Sequence, residues 1–196
     1  MVYFFIMEKL IVATSNAGKL KEFREMLGGK YEVVSMAEAG FEGDVEETGV
    51  TFYENALIKA KAVADRLGVS ALADDSGLEV ECLGGAPGVY SARYAGEPCD
   101  NARNRAFLLE NMKNSQNRKA RFVSCIVLYN PNGQIVCAEG YVDGEILEEE
   151  QGNNGFGYDC LFYSYDLKKC FGIATDEEKN SVSHRGRALR ALLEKL

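Results

Sequence analysis

Two periods run through the apolar and polar positions of this chain, and the switches between them mark its elements. Residues 9–14 (KLIVAT) are an apolar, β-branched run of the kind a buried strand needs. Ser15 and Asn16 then offer helix caps, and Leu20, Phe23, Met26 and Leu27 recur at helical spacing until Gly28-Gly29 stops them. A second strand is predicted over 31–36, and the acidic, Gly-rich stretch 40–49 reads as a loop. Thr51-Phe52-Tyr53-Glu54 is a capping box, in which hydroxyl and carboxylate each satisfy a free backbone N–H. Phe52, Ala56, Ala60, Val63 and Leu67 follow it as one apolar stripe, closed by Gly68.

Residues 69–73 predict a third strand that ends at Asp74-Asp75-Ser76-Gly77, residue types favoured in turns. Leu78, Val80 and Cys82 alternate with acids, which predicts a separate, half-solvated strand. A Gly-Pro turn over 84–88 leads to a helix capped by Asp100 and running through Met112, and 114–118 is a polar loop. Strands over 121–129 and 134–142 flank Asn130-Pro131-Asn132-Gly133, a hairpin signal. A Gly/Asn-rich loop over 152–157 precedes a last helix, capped by Ser183 and apolar along Ala188, Leu189, Leu192, Leu193 and Leu196. Alternating strands and helices with a late hairpin predict an α/β fold around a mixed sheet.

Composition narrows the partners. At 196 residues the chain suits one domain with a core of its own. With 22 Lys and Arg against 30 Asp and Glu, the net charge is −8, which disfavours nucleic acids and anionic membrane surfaces. A phosphorylated small molecule remains open, since a few local cations and a metal can hold one. The apolar opening MVYFFIM is far shorter than the ~20 residues of a membrane helix and lacks a signal peptide's basic start. Met7 stands just before the first predicted strand, so residues 1–6 read as an extension, with a short extra strand or a packing tail as the alternative, and 7–196 as the domain. Cys82, Cys99, Cys125, Cys137, Cys160 and Cys170 form no CxxC and no zinc cluster with His184, the one histidine. They read as scattered thiols of a cytoplasmic protein.

Three loops combine glycine with charge near predicted strand ends, where ligand crevices form in α/β sheets. Thr14, Ser15, Asn16, Ala17, Gly18 and Lys19 bring hydroxyls, an amide, a glycine and a cation to a helix start, a set that suits phosphate oxygens. An ordinary cap with a surface lysine is the plain alternative, and the order is not that of a Walker A loop. Asp74 and Asp75 can hold Mg²⁺ through hard oxygens, and one can take a proton from water; a turn is the structural alternative. Glu46 and Glu47 can add a metal ligand. In the third loop Phe156, flanked by Gly155 and Gly157 and followed by Tyr158 and Asp159, can stack on a ring, or pack into the core. Lys179, His184 and Arg185 add polar groups near a helix start, where the positive dipole end should keep His184 neutral.

Together these segments resemble the ITPase-like family, the XTP/dITP diphosphatases. The resemblance runs from Met7 to Leu196 through ATSNAGK (13–19), EETGVTFYENALIKA (46–60), ADDSGLEV (73–80), LGGAPGVYSARY (83–94), FGYD (156–159) and SHRGRAL (183–189). Cys160 departs from it, because the family usually has proline after FGYD. The resemblance implies a long mixed sheet flanked by helices, in two lobes with the active-site cleft between them, usually in a homodimer. It implies hydrolysis of ITP, dITP and XTP to monophosphate and pyrophosphate, with water attacking the α-phosphorus of a metal-bound triphosphate. Thr14 to Lys19 and Lys59 would then face the phosphates, with Ser76 also touching substrate. Asp75 would be the general base, and Asp75, Glu47, Glu46 and Asp74 would hold Mg²⁺, with Mn²⁺ as a substitute. Phe156, Gly157, Tyr158, Asp159, Lys179, His184 and Arg185 would form the base pocket. Two rivals stand beside this reading: a regulatory module that binds nucleotide without turnover, and a phosphatase that releases inorganic phosphate.

Overall fold

The computed structural model describes residues 8–196; the expected extension, residues 1–6, lies outside the described residues. Strand β1 (Glu8–Val12) leads through helix α1 (Ala17–Leu27) to β2 (Tyr31–Ser35), which pairs parallel to β1. Helix α2 (Phe52–Leu67) carries the chain back to β3 (Ala71–Val80), parallel to β1 on its other side. Helix α3 (Asn101–Met112) precedes the long hairpin of β4 (Lys119–Tyr129) and β5 (Ile135–Ile146). Short strands β6 (Phe162–Ser164) and β7 (Lys169–Cys170) follow, then helices α4 (Asp176–Val182) and α5 (His184–Leu193). The seven strands lie in the order β2-β1-β3-β4-β5-β6-β7, one mixed sheet flanked by helices. Among the described residues no helix is long and apolar enough to cross a membrane.

Period-2 alternation sends successive side chains to opposite faces, and each face receives its own helices. Ala71, Ala73, Cys125 and Val127 meet Ala56, Ala60 and Val63 of α2 on one face. Val12, Leu72, Ile126 and Ala138 meet Phe23 and Leu27 of α1 and Leu189 and Leu192 of α5 on the other. A further core gathers Leu108, Phe122, Val142, Phe162 and Phe171 around the far half of the sheet. The Thr51–Glu54 capping box is formed as expected and contributes about 1 kcal/mol to α2.

Two expectations are corrected here. Asp74-Asp75-Ser76-Gly77 is neither a turn nor a strand end; it lies inside β3, whose ten residues all pair with β4. Turn propensity is a local preference, and a continuous ladder overrides it. Strand β5 also runs four residues past Val142, to Ile146.

Two glycines set the site's geometry. A Cβ at Gly140 of β5 would stand 2.2 Å from the His184 carbonyl oxygen and 2.4 Å from the Ala188 nitrogen. Only a bare backbone there lets the start of α5 rest on the sheet. A Cβ at Gly77 would stand 2.3 Å from the Gly88 carbonyl oxygen, so the turn Gly88–Arg93 can press against β3.

Candidate active site

A cleft of about 620 Å³ opens where the cores meet, within the range of small-ligand sites. Its walls come from the loop after β1, the acidic loop before α2, the middle of β3, the turn Gly88–Arg93, the loop 156–159 and the α4–α5 junction.

Asn16 caps α1, its Oδ1 accepting from the Lys19 backbone N–H at 3.0 Å, and its own N–H donates to Thr14 Oγ1 at 3.1 Å. Thr14, Ser15, Asn16 and Lys19 line the cleft. Ala17 is exposed in the first turn of α1, and Gly18 lies beneath Phe156, where a Cβ would meet the ring at 2.6 Å. Glycine is needed there for the ring and the helix start to touch.

Because Asp74 and Asp75 are neighbours on a strand, their carboxylates leave opposite faces of the sheet. Asp75 faces α2, accepting from Asn55 Nδ2 at 3.2 Å and from Lys59 Nζ at 3.3 Å. Lys59 also donates to Glu47 Oε1 at 2.6 Å, so one ammonium joins two carboxylates. Burial pushes the Asp75 carboxyl above its usual range, against the pull of Lys59 and Lys19. A proton acceptor gains basicity from such a shift. Burial would lower Lys59, but Asp75 and Glu47 outweigh it and raise its pKa.

Asp74 faces the other way and its side chain is fully buried. Lys19 Nζ sits 2.9 Å from it and Arg185 Nη2 3.1 Å, while Ser76 and Ser124 donate their hydroxyls to it. Burial opposes its ionisation, yet Arg185 and Lys19 hold it far below the usual carboxylate range. Its oxygens are spent on four protein partners, across the sheet from Asp75 and Glu47.

Around Arg185 the network continues. Arg185 is 1% exposed and donates to Asp74, to Glu22 and to Ser76 Oγ. Lys179 lies 2.7 Å from both Glu22 Oε1 and Asp159 Oδ2, and 4.8 Å above the Phe156 ring. The Phe156 N–H in turn donates to Asp159 Oδ2 at 2.7 Å. Tyr158 turns its hydroxyl to the Ser91 carbonyl at 2.9 Å, which ties the 156–159 loop down. His184 stacks on Phe122, with centroids 4.8 Å apart and 16° between planes. Burial, then the Arg185 charge, holds its pKa well below 6.5, so the ring is neutral at pH 7. Its Nδ1 is the one buried side-chain nitrogen or oxygen without a hydrogen-bond partner among the described residues.

The structure therefore gathers Thr14, Ser15, Asn16, Lys19, Glu47, Lys59, Asp75, Ser76, Phe156, Gly157, Tyr158, Asp159, Lys179, His184 and Arg185 around one cleft, with Glu46 exposed in its wall. Sequence reasoning missed Glu22, Asn55 and Arg93. The signal for Glu22 was its place three residues after Lys19, on the buried side of α1 beside Phe23.

Glu22 carries a test. Burial would raise its pKa, but Arg185 and Lys179 hold it at about 2, against 4.5 for the free side chain. A lowered carboxylate stabilises the fold above pH 4.5, and that stability is lost as pH falls toward 2. The shift corresponds to about 3 kcal/mol. Glu22→Gln should unfold at lower denaturant at pH 7 and show a shallower loss of stability between pH 4.5 and 2. Superimposable acid-unfolding curves for the two proteins would contradict it.

The Ham1 family matches over residues 10–195. A dITP/XTP pyrophosphatase of Desulforamulus reducens is 51% identical over 189 residues, covering 95% of this chain and 94% of the relative. One of Bacillus subtilis is 47% identical over 190 residues, covering 95% of this chain and 96% of the relative. Among solved structures, a HAM1 protein from Coxiella burnetii superposes with a TM-score of 0.86 at 39% identity, covering 97% of this chain and 100% of that one.

Proposed function

Because this chain belongs to the Ham1 family, we infer that it is a nucleoside-triphosphate pyrophosphatase acting on non-standard purine nucleotides, the substrates that its relatives' names give for them. It hydrolyses dITP, XTP and ITP to the monophosphate and pyrophosphate. The observation that carries the reading is the opposed pair on β3. Asp75 opens onto the cleft with a raised pKa, while Asp74 anchors the cations of the other wall. A module that only binds an anion gains nothing from Asp75 and Glu47 in its cleft.

Glu47 and Asp75 suit a small divalent cation, Mg²⁺ or Mn²⁺ in its place. Both offer hard oxygens and both already share one positive charge, that of Lys59. Among the described residues no group of three or more acidic, His or Cys side chains gathers to cage a metal. Two carboxylates plus substrate phosphates and water are the donor set Mg²⁺ usually takes. Bound there, the cation supplies neutralisation of phosphate charge. Asp75 accepts the proton of the attacking water, and Lys19 and Lys59 face the phosphates. Their ammoniums converge on the Asp74 carbonyl oxygen, at 3.4 and 2.9 Å. Phe156 offers a stacking face for the purine, with Lys179, His184 and Arg185 around its edge. The net charge of −8 argues against nucleic acid as a substrate.

Six free thiols, three of them buried, support a reducing compartment and hence the cytoplasm. Exposed Tyr53, Tyr90 and Tyr141 support a homodimer. Product analysis tests the reaction: dITP with Mg²⁺ should give deoxyinosine monophosphate and pyrophosphate in equal amounts, and excess EDTA should stop it. Inorganic phosphate as the first product, or full activity in EDTA, would overturn the reading.

A further inference from the structure

The cations lining the cleft are not equally committed. Lys19 is held by Asp74 at 2.9 Å, Lys59 by Glu47 at 2.6 Å, and Lys179 by Glu22 and Asp159 at 2.7 Å. Arg185 is shared between Asp74 and Glu22. Arg93 differs from all of them. Its side chain is 29% exposed, it lies 5.3 Å over the Tyr90 ring, and its nearest carboxylate oxygen, Glu47 Oε2, is 3.7 Å away. That distance is beyond hydrogen-bond reach. Arg93 hydrogen-bonds none of the described residues through its guanidinium, so its donor fork is unspent in the cleft wall.

Its backbone is not free to wander. Arg93 ends the turn Gly88–Arg93, which bare Gly77 admits against β3 and which Ser91 pins. The Ser91 hydroxyl accepts from the Leu78 N–H at 2.9 Å and donates to the Gly88 carbonyl at 2.6 Å. The turn thus holds a guanidinium beside Glu47, in the chain of contacts Arg93–Glu47–Lys59–Asp75. This is the reacting side of β3. Lys179, His184 and Arg185 belong to the network on the other face, through Asp74 and Glu22.

Resting on the pyrophosphatase reading above, we propose that Arg93 is the leaving-group residue of this enzyme, binding the β- and γ-phosphates of the substrate and the pyrophosphate they become. When a water oxygen bonds to the α-phosphorus, the bond from that phosphorus to the α,β-bridging oxygen breaks. The electron pair stays on the bridging oxygen, which departs with the pyrophosphate, while the water proton passes to Asp75. The negative charge that develops falls on the β-phosphate, and a planar fork of N–H donors matches its oxygens in pairs. Lys19 and Lys59 begin the reaction with their ammoniums hydrogen-bonded to carboxylates or backbone; Arg93 shares only a 3.7 Å ion pair with Glu47 and brings N–H donors that hydrogen-bond none of the described residues.

Product inhibition tests this without relying on turnover alone. Pyrophosphate and deoxyinosine monophosphate are titrated as inhibitors of dITP hydrolysis, at fixed free Mg²⁺, for wild type, Arg93→Ala and Arg93→Lys. Arg93→Ala should raise the inhibition constant for pyrophosphate about 10- to 100-fold, the range for a lost charged hydrogen bond. The constant for the monophosphate should stay within a factor of two to three of wild type. Arg93→Lys should recover part of the pyrophosphate effect and keep the wild-type melting temperature. An unchanged pyrophosphate constant in Arg93→Ala, or equal weakening of both inhibitors, overturns the assignment and leaves Arg93 a structural partner of Glu47 and Tyr90. Wild-type release of inorganic phosphate from dITP would instead sink the pyrophosphatase reading itself, so the two failures are distinct.

Discussion

Asp75→Asn is expected to fold like wild type and to lose turnover by two to four orders of magnitude. The amide keeps the size of the carboxyl, and its one oxygen can still accept from either Asn55 or Lys59, which now contact the two Asp75 oxygens at 3.2 and 3.3 Å. It loses the proton acceptor and the negative charge beside Glu47. Removing a general base alone costs about 10²- to 10⁴-fold, or 3 to 5 kcal/mol of barrier. The neighbouring substitution is the control that makes the result informative. Asp74→Asn leaves Lys19 and Arg185 short of a buried counter-charge, and breaking such a pair costs about 3 to 5 kcal/mol of stability. The first variant should therefore lose chemistry with its melting temperature kept, and the second should lose stability. Single-turnover rates and thermal unfolding of both proteins check this. A folded Asp75→Asn enzyme with near-wild-type turnover would remove Asp75 from the reaction.

The pair also shows where a sequence can be read and where it cannot. Elements announced by local rules came through: the Thr51 capping box, the hairpin at Asn130–Gly133 and the Ser183 cap depend on neighbours within a few residues. The Asp74–Gly77 segment failed the same rules, because ten rungs with β4 outweigh the turn preference of four residues. Helix α4 was missed for a different reason. Thr175 and Glu178 form a capping box, but six polar residues and a single Val182 carry no apolar stripe, and the helix is held by its buried Lys179. The loops of the cleft were legible as motifs, whereas the partners within it were not. Lys179 meets Glu22 across 157 residues and Arg185 meets Asp74 across 111. No spacing rule reaches that far, so nothing in the sequence says that Asp74 serves the cations and Asp75 the cleft.

The base end of the cleft should set the choice between ITP and ATP, and His184→Phe is the variant expected to expose it. Hypoxanthine carries an oxygen at position 6, where adenine carries an amino donor. His184 lines the cleft as a neutral ring whose buried Nδ1 has no partner among the described residues. A neutral imidazole that donates from its less buried nitrogen, Nε2, rewards the 6-oxygen and faces a donor with a donor when the base is adenine. Sites built on such bonds can discriminate by roughly 10⁴, because the wrong base strands buried polar groups. Phenylalanine can keep the stack on Phe122, so the fold should tolerate it. We expect kcat/KM for ITP to fall about 10- to 100-fold and that for ATP to stay nearly constant, which narrows the ratio. Arg185→Ala should narrow it too, but its guanidinium also neutralises Asp74 and Glu22, and its removal costs about 3 to 5 kcal/mol of stability. GTP shares the 6-oxygen and should be rejected less strongly than ATP by the wild-type enzyme. If His184→Phe lowers kcat/KM for ITP and ATP by the same factor, the ring is a packing residue and base selection lies elsewhere in the cleft.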